Sequence, residues 1–140
     1  MNRILGLDYG TKTVGVAISD PLLLTAQELE TIVRKRPNAL RRTLVRIQEI
    51  CDEYKVEKII LGYPRNMDDS EGFRCGETLE FKKLLEKRVD IPIELLDERL
   101  TTVYADEILE ESGVAKKDRK KVIDQIAAAI ILQDYLDNRS

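Results

Sequence analysis

The chain contains no histidine, and this absence restricts its chemistry more than any other feature of its composition. Without imidazole there is no Ser-His-Asp or Cys-His catalytic arrangement and no His-ligated zinc site. Two cysteines, Cys51 and Cys75, are too few and too far apart for a zinc cluster or a disulfide framework. Cys51 falls on the apolar side of a helical pattern, which predicts a buried thiol, and Cys75 is assigned no role. Any catalysis must therefore rest on carboxylates, Lys, Tyr, Thr, Cys or a hard metal ion.

Long apolar runs and a secretory signal are also missing. No stretch approaches the roughly 18 apolar residues that a membrane span needs, and no charged-then-apolar segment opens the chain. Together with the sparse cysteines, this predicts a cytoplasmic protein without membrane contact. The net charge is −3, so contact with nucleic acid would require local basic patches or bound cations.

What is present suits one domain over residues 1–140, because 43% of the residues are apolar and no repeat or linker divides the chain. Apolar runs predict strands at Arg3–Leu7, Val14–Ser19, Lys58–Gly62 and Ile91–Leu96, with a weaker third strand across Leu22–Ala26 and Glu30–Val33. Helical spacing predicts helices from the N-cap Asn38 to Tyr54, over Glu77–Arg88, from Thr101 or Thr102 to Glu111, and over Asp118–Leu136. This order predicts an α/β fold: a mixed sheet of antiparallel hairpin strands followed by parallel strands, with helices on both faces.

Acidic residues stand where two of the predicted strands end. Asp8 ends the first strand, and Asp97 and Glu98 end the last. Ligand sites of α/β sheets gather outside the carboxyl ends of strands. These carboxylates are therefore candidates for a common site.

A third candidate, Asp124, lies on the apolar face of the last predicted helix. It shares that face with Ala128 and Ile131, where a charge is costly unless a cation satisfies it. The alanine run would let the helix approach a sheet closely, and Gly6 offers the sheet side of such a contact. We predict that the helix lies over the first strand and brings Asp124 toward Asp8.

Clustered carboxylates without histidine repel one another, and their pKa values rise if nothing neutralises them. Mg²⁺ or Mn²⁺ would remove this conflict, because both prefer oxygen ligands. Two such ions can activate a water and stabilise the leaving oxygen of a phosphodiester. Taken singly, each acid has a simpler explanation: a turn for Asp8, and pairing with Lys120 or Lys121 for Asp124. Glu98 could pair with Arg99 or complement the N-terminus of the following helix. Their combination favours a metal site.

Four blocks of the sequence carry a family resemblance: "LGLDYGTKTVGVAISD", "IILGYPRNMD", "LLDERLTTVYADEIL" and "VIDQIAAAIILQDYL". In this order they resemble the YqgF-type Holliday junction resolvases, also described as pre-16S ribosomal RNA nucleases. The resemblance implies a ribonuclease H-like fold and a metal-dependent phosphodiesterase. It implies Asp8, Glu98 and Asp124 as catalytic and metal-binding residues, with Asp97 ranked below Glu98.

The chain departs from the family pattern at two positions. Thr13 follows Lys12 where the family often has a basic residue, and Asp69 stands where it usually has glycine. Neither position belongs to the acidic triad, but both could change how substrate is held.

Two basic clusters are candidates for phosphate contact. The first, interpreted by default as a solvated face, comprises Arg34, Lys35, Arg36, Arg41, Arg42 and Arg46. The second leads into the helix of Asp124 and comprises Lys116, Lys117, Arg119, Lys120 and Lys121. No aromatic residues are interleaved, so backbone recognition is favoured over base stacking. The predicted nucleic-acid contacts are Lys12, Arg65, Asn66, Arg99, Lys117, Lys120 and Lys121.

The leading hypothesis is a Mg²⁺- or Mn²⁺-dependent endonuclease that processes the 5′ end of pre-16S rRNA, with a ribosomal particle as a possible partner. The alternative is a resolvase of branched DNA, which a homodimer would favour because junction cutting needs paired sites. Monomer and homodimer both remain open.

Two further classes are weighed against the nuclease. The first block also resembles the phosphate loop of actin-like kinases and chaperone ATPases, but those need two such halves, and 140 residues supply one. The other is a ribosome-assembly or transcription-associated binding protein without activity. The presence of all three carboxylates argues against it.

Overall fold

The computed structural model describes residues 3–10, 12–36, 39–63, 73–97, 111, 113 and 116–139, with the side chains of 73, 74 and 116–125 outside this description. The strands are β1 (Arg3–Tyr9), β2 (Thr13–Ser19), β3 (Ala26–Val33), β4 (Val56–Tyr63) and β5 (Ile93–Asp97). The helices described are α1 (Arg41–Tyr54), α2 (Phe73–Glu86) and α3 (Lys116–Asn138).

The described strands form one mixed sheet in the order β3-β2-β1-β4-β5. The pairs β1/β2 and β2/β3 are antiparallel, because each is joined by a short connection. The pairs β1/β4 and β4/β5 are parallel, because helical crossovers lead into β4 and β5. The predicted mixed sheet is confirmed. Strands β1, β3, β4 and β5 all run the same way, so their carboxyl ends lie at one edge, which we call the carboxyl edge.

Helices α1 and α2 cover one face of the sheet. Side chains that alternate along the strands, such as Leu5, Leu7 and Leu61, pack there with Ile47 and Phe81. All five are fully buried.

Helix α3 covers the opposite face, where Ile4, Ala17 and Ile60 pack against Ala128 and Leu132. Helices therefore lie on both faces, as predicted. The buried runs of β1 and β4 follow from this layering, because strands covered on both sides read as continuous apolar segments.

The close approach of α3 to β1 takes place at Gly6, as the sequence predicts. A Cβ atom at Gly6 would lie 2.8 Å from Leu132 Cβ and 3.0 Å from the carbonyl oxygen of Ala128. Any side chain at this position would push the helix away from the strand. The contact of the last helix with the first strand is thereby confirmed.

Several predicted boundaries differ from the structure. Strand β1 continues through Tyr9, because its pairing reaches the Tyr9–Val14 pair, so Asp8 is its penultimate residue rather than its end. Strand β3 is continuous from Ala26 to Val33, and its pairing with β2 spans that whole length. Helix α2 begins at Phe73, four residues before the predicted start.

Helix α1 begins at Arg41 after Leu40, and the predicted cap Asn38 lies outside the described residues. The same holds for the predicted helix from Thr101 or Thr102, apart from its last residue, Glu111. In the part of the chain that the structure describes, none of the helices has the length and apolar character needed to cross a membrane.

Candidate functional site

Asp8 is placed at the carboxyl edge on the face that α3 covers. It lies opposite Gly15 across the β1/β2 pair and is half-buried. Its position in the alternation of β1 matches Ile4, which packs in the α3 layer. A Cβ atom built at Gly15 would lie 3.8 Å from Asp8 Cβ and 3.5 Å from Ala128 Cβ. The carboxylate therefore stands beside the middle of α3.

Helix α3 runs antiparallel to β1. Leu132 meets Gly6, and Ala128, one turn earlier, meets Gly15 at the level of Asp8. The later part of the helix lies near the start of β4, where Lys58 Nζ donates to Tyr135 Oη over 2.9 Å. Position 124 is one further turn, about 5.4 Å along the axis, toward the carboxyl edge. The backbone of α3 thus brings position 124 to the end of β1, while its side chain lies outside the described part.

Strand β5 presents Asp97 on the other face from Asp8. Ile93 and Leu95 pack in the α1/α2 layer, whereas Leu96 packs in the α3 layer. By the same alternation, Asp97 belongs to the α1/α2 side. Glu98, the next residue, lies outside the described residues. Two interstrand spacings, about 10 Å, separate the backbones of β1 and β5.

The donor set at this edge suits a hard divalent cation. Asp8 offers carboxylate oxygens, and histidine is absent from the chain, so oxygen is the ligand type available here. Among the residues whose side chains are described, no group of three acidic, Cys or His side chains gathers for a metal. The predicted triad needs Glu98 and Asp124, whose side chains are not among them.

One of the seven predicted nucleic-acid contacts can be located completely. Lys12 is exposed in the β1–β2 turn, at the same edge as Asp8, and its carbonyl oxygen accepts the backbone N–H of Arg34 over 2.7 Å. Three others, Lys117, Lys120 and Lys121, belong to the first turns of α3, and their side chains lie outside the described part. The last three, Arg65, Asn66 and Arg99, lie outside the described residues altogether.

Arg34 contradicts the interpretation of the first basic cluster as solvated. Only 4% of this residue is exposed. Its Nη2 donates to the carbonyl oxygen of Gly10, and its guanidinium lies over the Tyr9 ring at 4.7 Å from the centroid. Tyr9 in turn stacks on Phe81, with centroids 4.3 Å apart and an interplanar angle of 16°. The cation is buried because the ring and the turn enclose it.

The rest of that cluster is more ordinary. Lys35 and Arg36 are exposed, and Arg46 forms a forked pair with Glu30, with nitrogen–oxygen distances of 2.6 and 3.0 Å. The side-chain hydrogen bond from Arg46 lowers the pKa of Glu30. The sequence did not predict the burial of Arg34, because a run of basic residues is typical of a solvated surface. Its position directly after β3, beside the β1–β2 turn, is evident only in the structure.

Comparison with known proteins extends these observations over the whole chain. The RuvX family model, described as Holliday junction resolvase, matches residues 2–138. A protein of Lachnospira eligens named "Putative pre-16S rRNA nuclease" is 57% identical over 137 residues, covering 98% of each chain. A protein of Agathobacter rectalis with the same name is 56% identical over 135 residues, covering 96% of this chain and 94% of its own.

Solved structures share the fold at low sequence identity. Thermus thermophilus RuvC in complex with a Holliday junction substrate superposes with a TM-score of 0.59 at 16% identity, covering 98% of this chain and 96% of its own. A second structure of Thermus thermophilus RuvC superposes with a TM-score of 0.53, also at 16% identity, and covers 96% of this chain and 89% of its own. The ribonuclease H-like fold that the four sequence blocks imply is thereby confirmed. From the match over 2–138 and the identity of more than half to its relatives, the chain belongs to the RuvX family of nucleases, the family that its four blocks resemble under the name YqgF.

Proposed function

We propose that this protein is a Mg²⁺- or Mn²⁺-dependent endonuclease whose site is formed by Asp8, Glu98 and Asp124. One observation carries the proposal: α3 packs on Gly6 of β1 and on Gly15 of β2, with Asp8 on the covered face. Two segments more than a hundred residues apart in sequence therefore meet at the carboxyl edge.

Glu98 is preferred to Asp97 as the third carboxylate because of the strand alternation. Asp97 belongs to the α1/α2 side of β5, whereas Asp8 is on the α3 side. Glu98 directly follows Asp97 in the sequence and has the longer side chain. This supports the ranking that the family resemblance implies.

The three acids would hold the cation and orient its water. When bound, a pair of such ions supplies a nucleophilic hydroxide and stabilises the charge on the leaving oxygen. The chain contributes negative charge and oxygen ligands, and the packed helix limits how far the Asp8 strand can move. Because the site needs no imidazole, the absence of histidine is consistent with this chemistry.

A polyanionic substrate has to be held locally, because the whole chain carries a net charge of −3. Lys12 at the β1–β2 turn and the lysines of the first turns of α3 supply positive charge at the carboxyl edge. Such phosphate contacts position the backbone without reading its sequence. We expect binding to weaken steeply as salt concentration rises.

The substrate we favour is the 5′ end of pre-16S rRNA, since the near relatives carry that name over almost their full length. Resolution of branched DNA is the second candidate, since the family description names it. A ribosomal particle as partner follows only from the first choice. A homodimer would favour the second, because a junction requires two symmetric cuts.

The test compares an end-labelled, 5′-extended 16S precursor with a four-way DNA junction, each with Mg²⁺, Mn²⁺ or EDTA. Asp8→Asn removes the proposed ligand. Asp90→Asn is the matched control, because Asp90 is exposed and precedes β5 at the opposite edge of the sheet. We expect metal-dependent cutting of the RNA by the wild type and by Asp90→Asn, and none by Asp8→Asn.

Each other outcome argues against a stated part of the proposal. Paired cuts in the junction alone would replace the RNA substrate by branched DNA. Cutting that persists in EDTA or in Asp8→Asn would contradict the metal site. Binding of the RNA without cutting in either metal would favour the non-enzymatic, ribosome-associated role.

A further inference from the structure

Arg34 is a buried cation whose burial the fold does not require. Within the described residues no carboxylate forms an ion pair with it, and its Nε and Nη1 atoms are buried without a hydrogen-bond partner. A buried charge in this state is unfavourable, because its unpartnered donors have lost their hydrogen bonds to water. The residue therefore adds little to the stability of the fold.

Arg34 holds both arms of the β1–β2 turn. Its side chain donates to the carbonyl oxygen of Gly10, and its backbone N–H donates to the carbonyl oxygen of Lys12. Gly10 also donates its own N–H to Thr13 over 2.8 Å. Both polar groups of Gly10, two residues after Asp8, are therefore fixed.

The stacked side chains of Arg34, Tyr9 and Phe81 hold the same turn on the face that α1 and α2 cover. The guanidinium lies over Tyr9, and Tyr9 stacks on Phe81 of α2. Tyr9 is the residue between Asp8 and Gly10, so the strand end is held on the face opposite to α3. A planar, delocalised cation suits this position better than an ammonium group.

We propose that Arg34 is a positioning residue for Asp8, an inference that rests on the proposed metal site. It acts through Gly10 and Tyr9, and it holds the end of β1 in the arrangement that lets Asp8 bind a divalent cation. Direct contact of Arg34 with substrate is disfavoured, because the donor atoms that have no partner are closed to solvent.

The experiment compares Arg34→Met with Arg46→Met in the full-length protein. Both substitutions remove one guanidinium, but Arg46 pairs with Glu30 on the surface, away from the turn. The measurements are Mn²⁺ affinity, the denaturation midpoint and the hydrogen-exchange rate of the Gly10 amide. We expect Arg34→Met to keep or raise the midpoint, to accelerate exchange at Gly10, and to weaken Mn²⁺ binding about 10–100-fold, as loss of a supporting contact typically does. Arg46→Met should leave Mn²⁺ binding and Gly10 exchange unchanged.

Arg34→Lys keeps the charge without the planar group, and it provides a folded variant if Arg34→Met fails to fold. We expect it to bind Mn²⁺ more weakly than the wild type. Unchanged Mn²⁺ affinity in either variant, or equal losses in Arg34→Met and Arg46→Met, would overturn the inference. So would a wild type that binds no Mn²⁺.

The outcome separates this inference from the proposed nuclease. If the wild type binds Mn²⁺ and Arg34→Met does not, while neither cuts nucleic acid, the inference stands and the nuclease proposal fails. If the wild type cuts, we expect Arg34→Met to lower kcat and leave KM unchanged. A raised KM at unchanged kcat would instead assign Arg34 to substrate binding and overturn the positioning role.

Discussion

Cys51 shows how burial, with a smaller contribution from the charge of Asp52, determines the chemistry of a residue. It lies on the inner side of α1 with 4% of its surface exposed, and this burial raises the pKa of its thiol to about 11. At pH 8 about one molecule in a thousand would carry the reactive thiolate, as follows from the definition of pKa. The buried thiol that the helical pattern predicts at Cys51 is confirmed.

We expect a Cys75→Ala variant, with Cys51 as its one thiol, to resist a disulfide reagent at pH 8 while folded. In guanidinium chloride the same thiol should react at the rate of a free cysteine, because unfolding removes the burial. The reaction is followed by absorbance. Rapid and complete reaction of the folded variant would contradict the assigned burial.

Asp20 stabilises the turn between β2 and β3 through its carboxylate. Its Oδ1 accepts the backbone N–H groups of Thr25 over 2.8 Å and Leu24 over 2.7 Å. These bonds, that of Thr25 foremost, lower the pKa of Asp20 below its usual range. Since the pKa is lower in the folded state, the charged form adds stability above the ordinary pKa of about 4 and loses it as the pH falls through the lowered value.

Asp20→Asn keeps an oxygen acceptor but removes the charge. We expect it to unfold at lower denaturant concentration than the wild type at pH 7, with the difference shrinking as the pH falls below the ordinary pKa of about 4 and vanishing below the lowered pKa of Asp20. Asp90→Asn, in the exposed segment between α2 and β5, should show a smaller difference. A gap between Asp20→Asn and the wild type that stays constant from pH 7 to strong acid would refute this account.

At the scale of elements, the contact of α3 with β1 determines the geometry of the site. Gly6 allows it, because there is no room for a Cβ between the strand and Leu132. The contact is a requirement of packing. It also determines the distance between Asp8 on β1 and position 124 on α3. A change in their separation should therefore affect stability and metal binding together.

We expect Gly6→Ala to lower the free energy of unfolding by about 1–3 kcal/mol, the usual effect of overpacking, and to weaken Mn²⁺ binding. Gly76→Ala is the matched control, because nothing lies within 4 Å of a Cβ at this exposed position of α2. It should raise stability by roughly 0.5–1 kcal/mol, through helix propensity, without altering Mn²⁺ affinity. Denaturant unfolding measures the stability of each variant, and Mn²⁺ titration measures its metal affinity. Equal effects of Gly6→Ala and Gly76→Ala on these two quantities would count against the packing argument.

Elements with a regular apolar pattern could be predicted well from the sequence. The hairpin, the two parallel strands and the α3–β1 contact all follow from apolar periodicity and from small residues facing one another. The prediction failed where long-range pairing decides: β1 reaches Tyr9 because β2 offers Val14 as partner. The apolar pattern of β1 is interrupted at Asp8, and a local pattern does not show that Tyr9 pairs with Val14.

At the scale of the whole molecule, the sequence predicts the acids of the candidate site but not the residues that support them. Asp8 could be proposed only in combination with Glu98 and Asp124, because a single acid after a strand has a simpler explanation as a turn residue. Arg34 could not, because the ring that covers it belongs to Tyr9, 25 residues earlier, and a run of arginines looks the same whether one is buried or none. Which face of the sheet each acid lies on could also be learned only from the structure. The structure places Asp97 and Asp8 on opposite faces.

The central claim is that acids from both ends of the chain bind metal together at the carboxyl edge. The most direct test is a crystal structure grown with Mn²⁺, in which anomalous scattering locates the ion. The account predicts a peak at coordination distance, about 2.0–2.2 Å, from carboxylate oxygens of Asp8, Glu98 and Asp124. A peak bound by Asp97 in place of Glu98, or a well-occupied Mn²⁺ site elsewhere with none at Asp8, would contradict it.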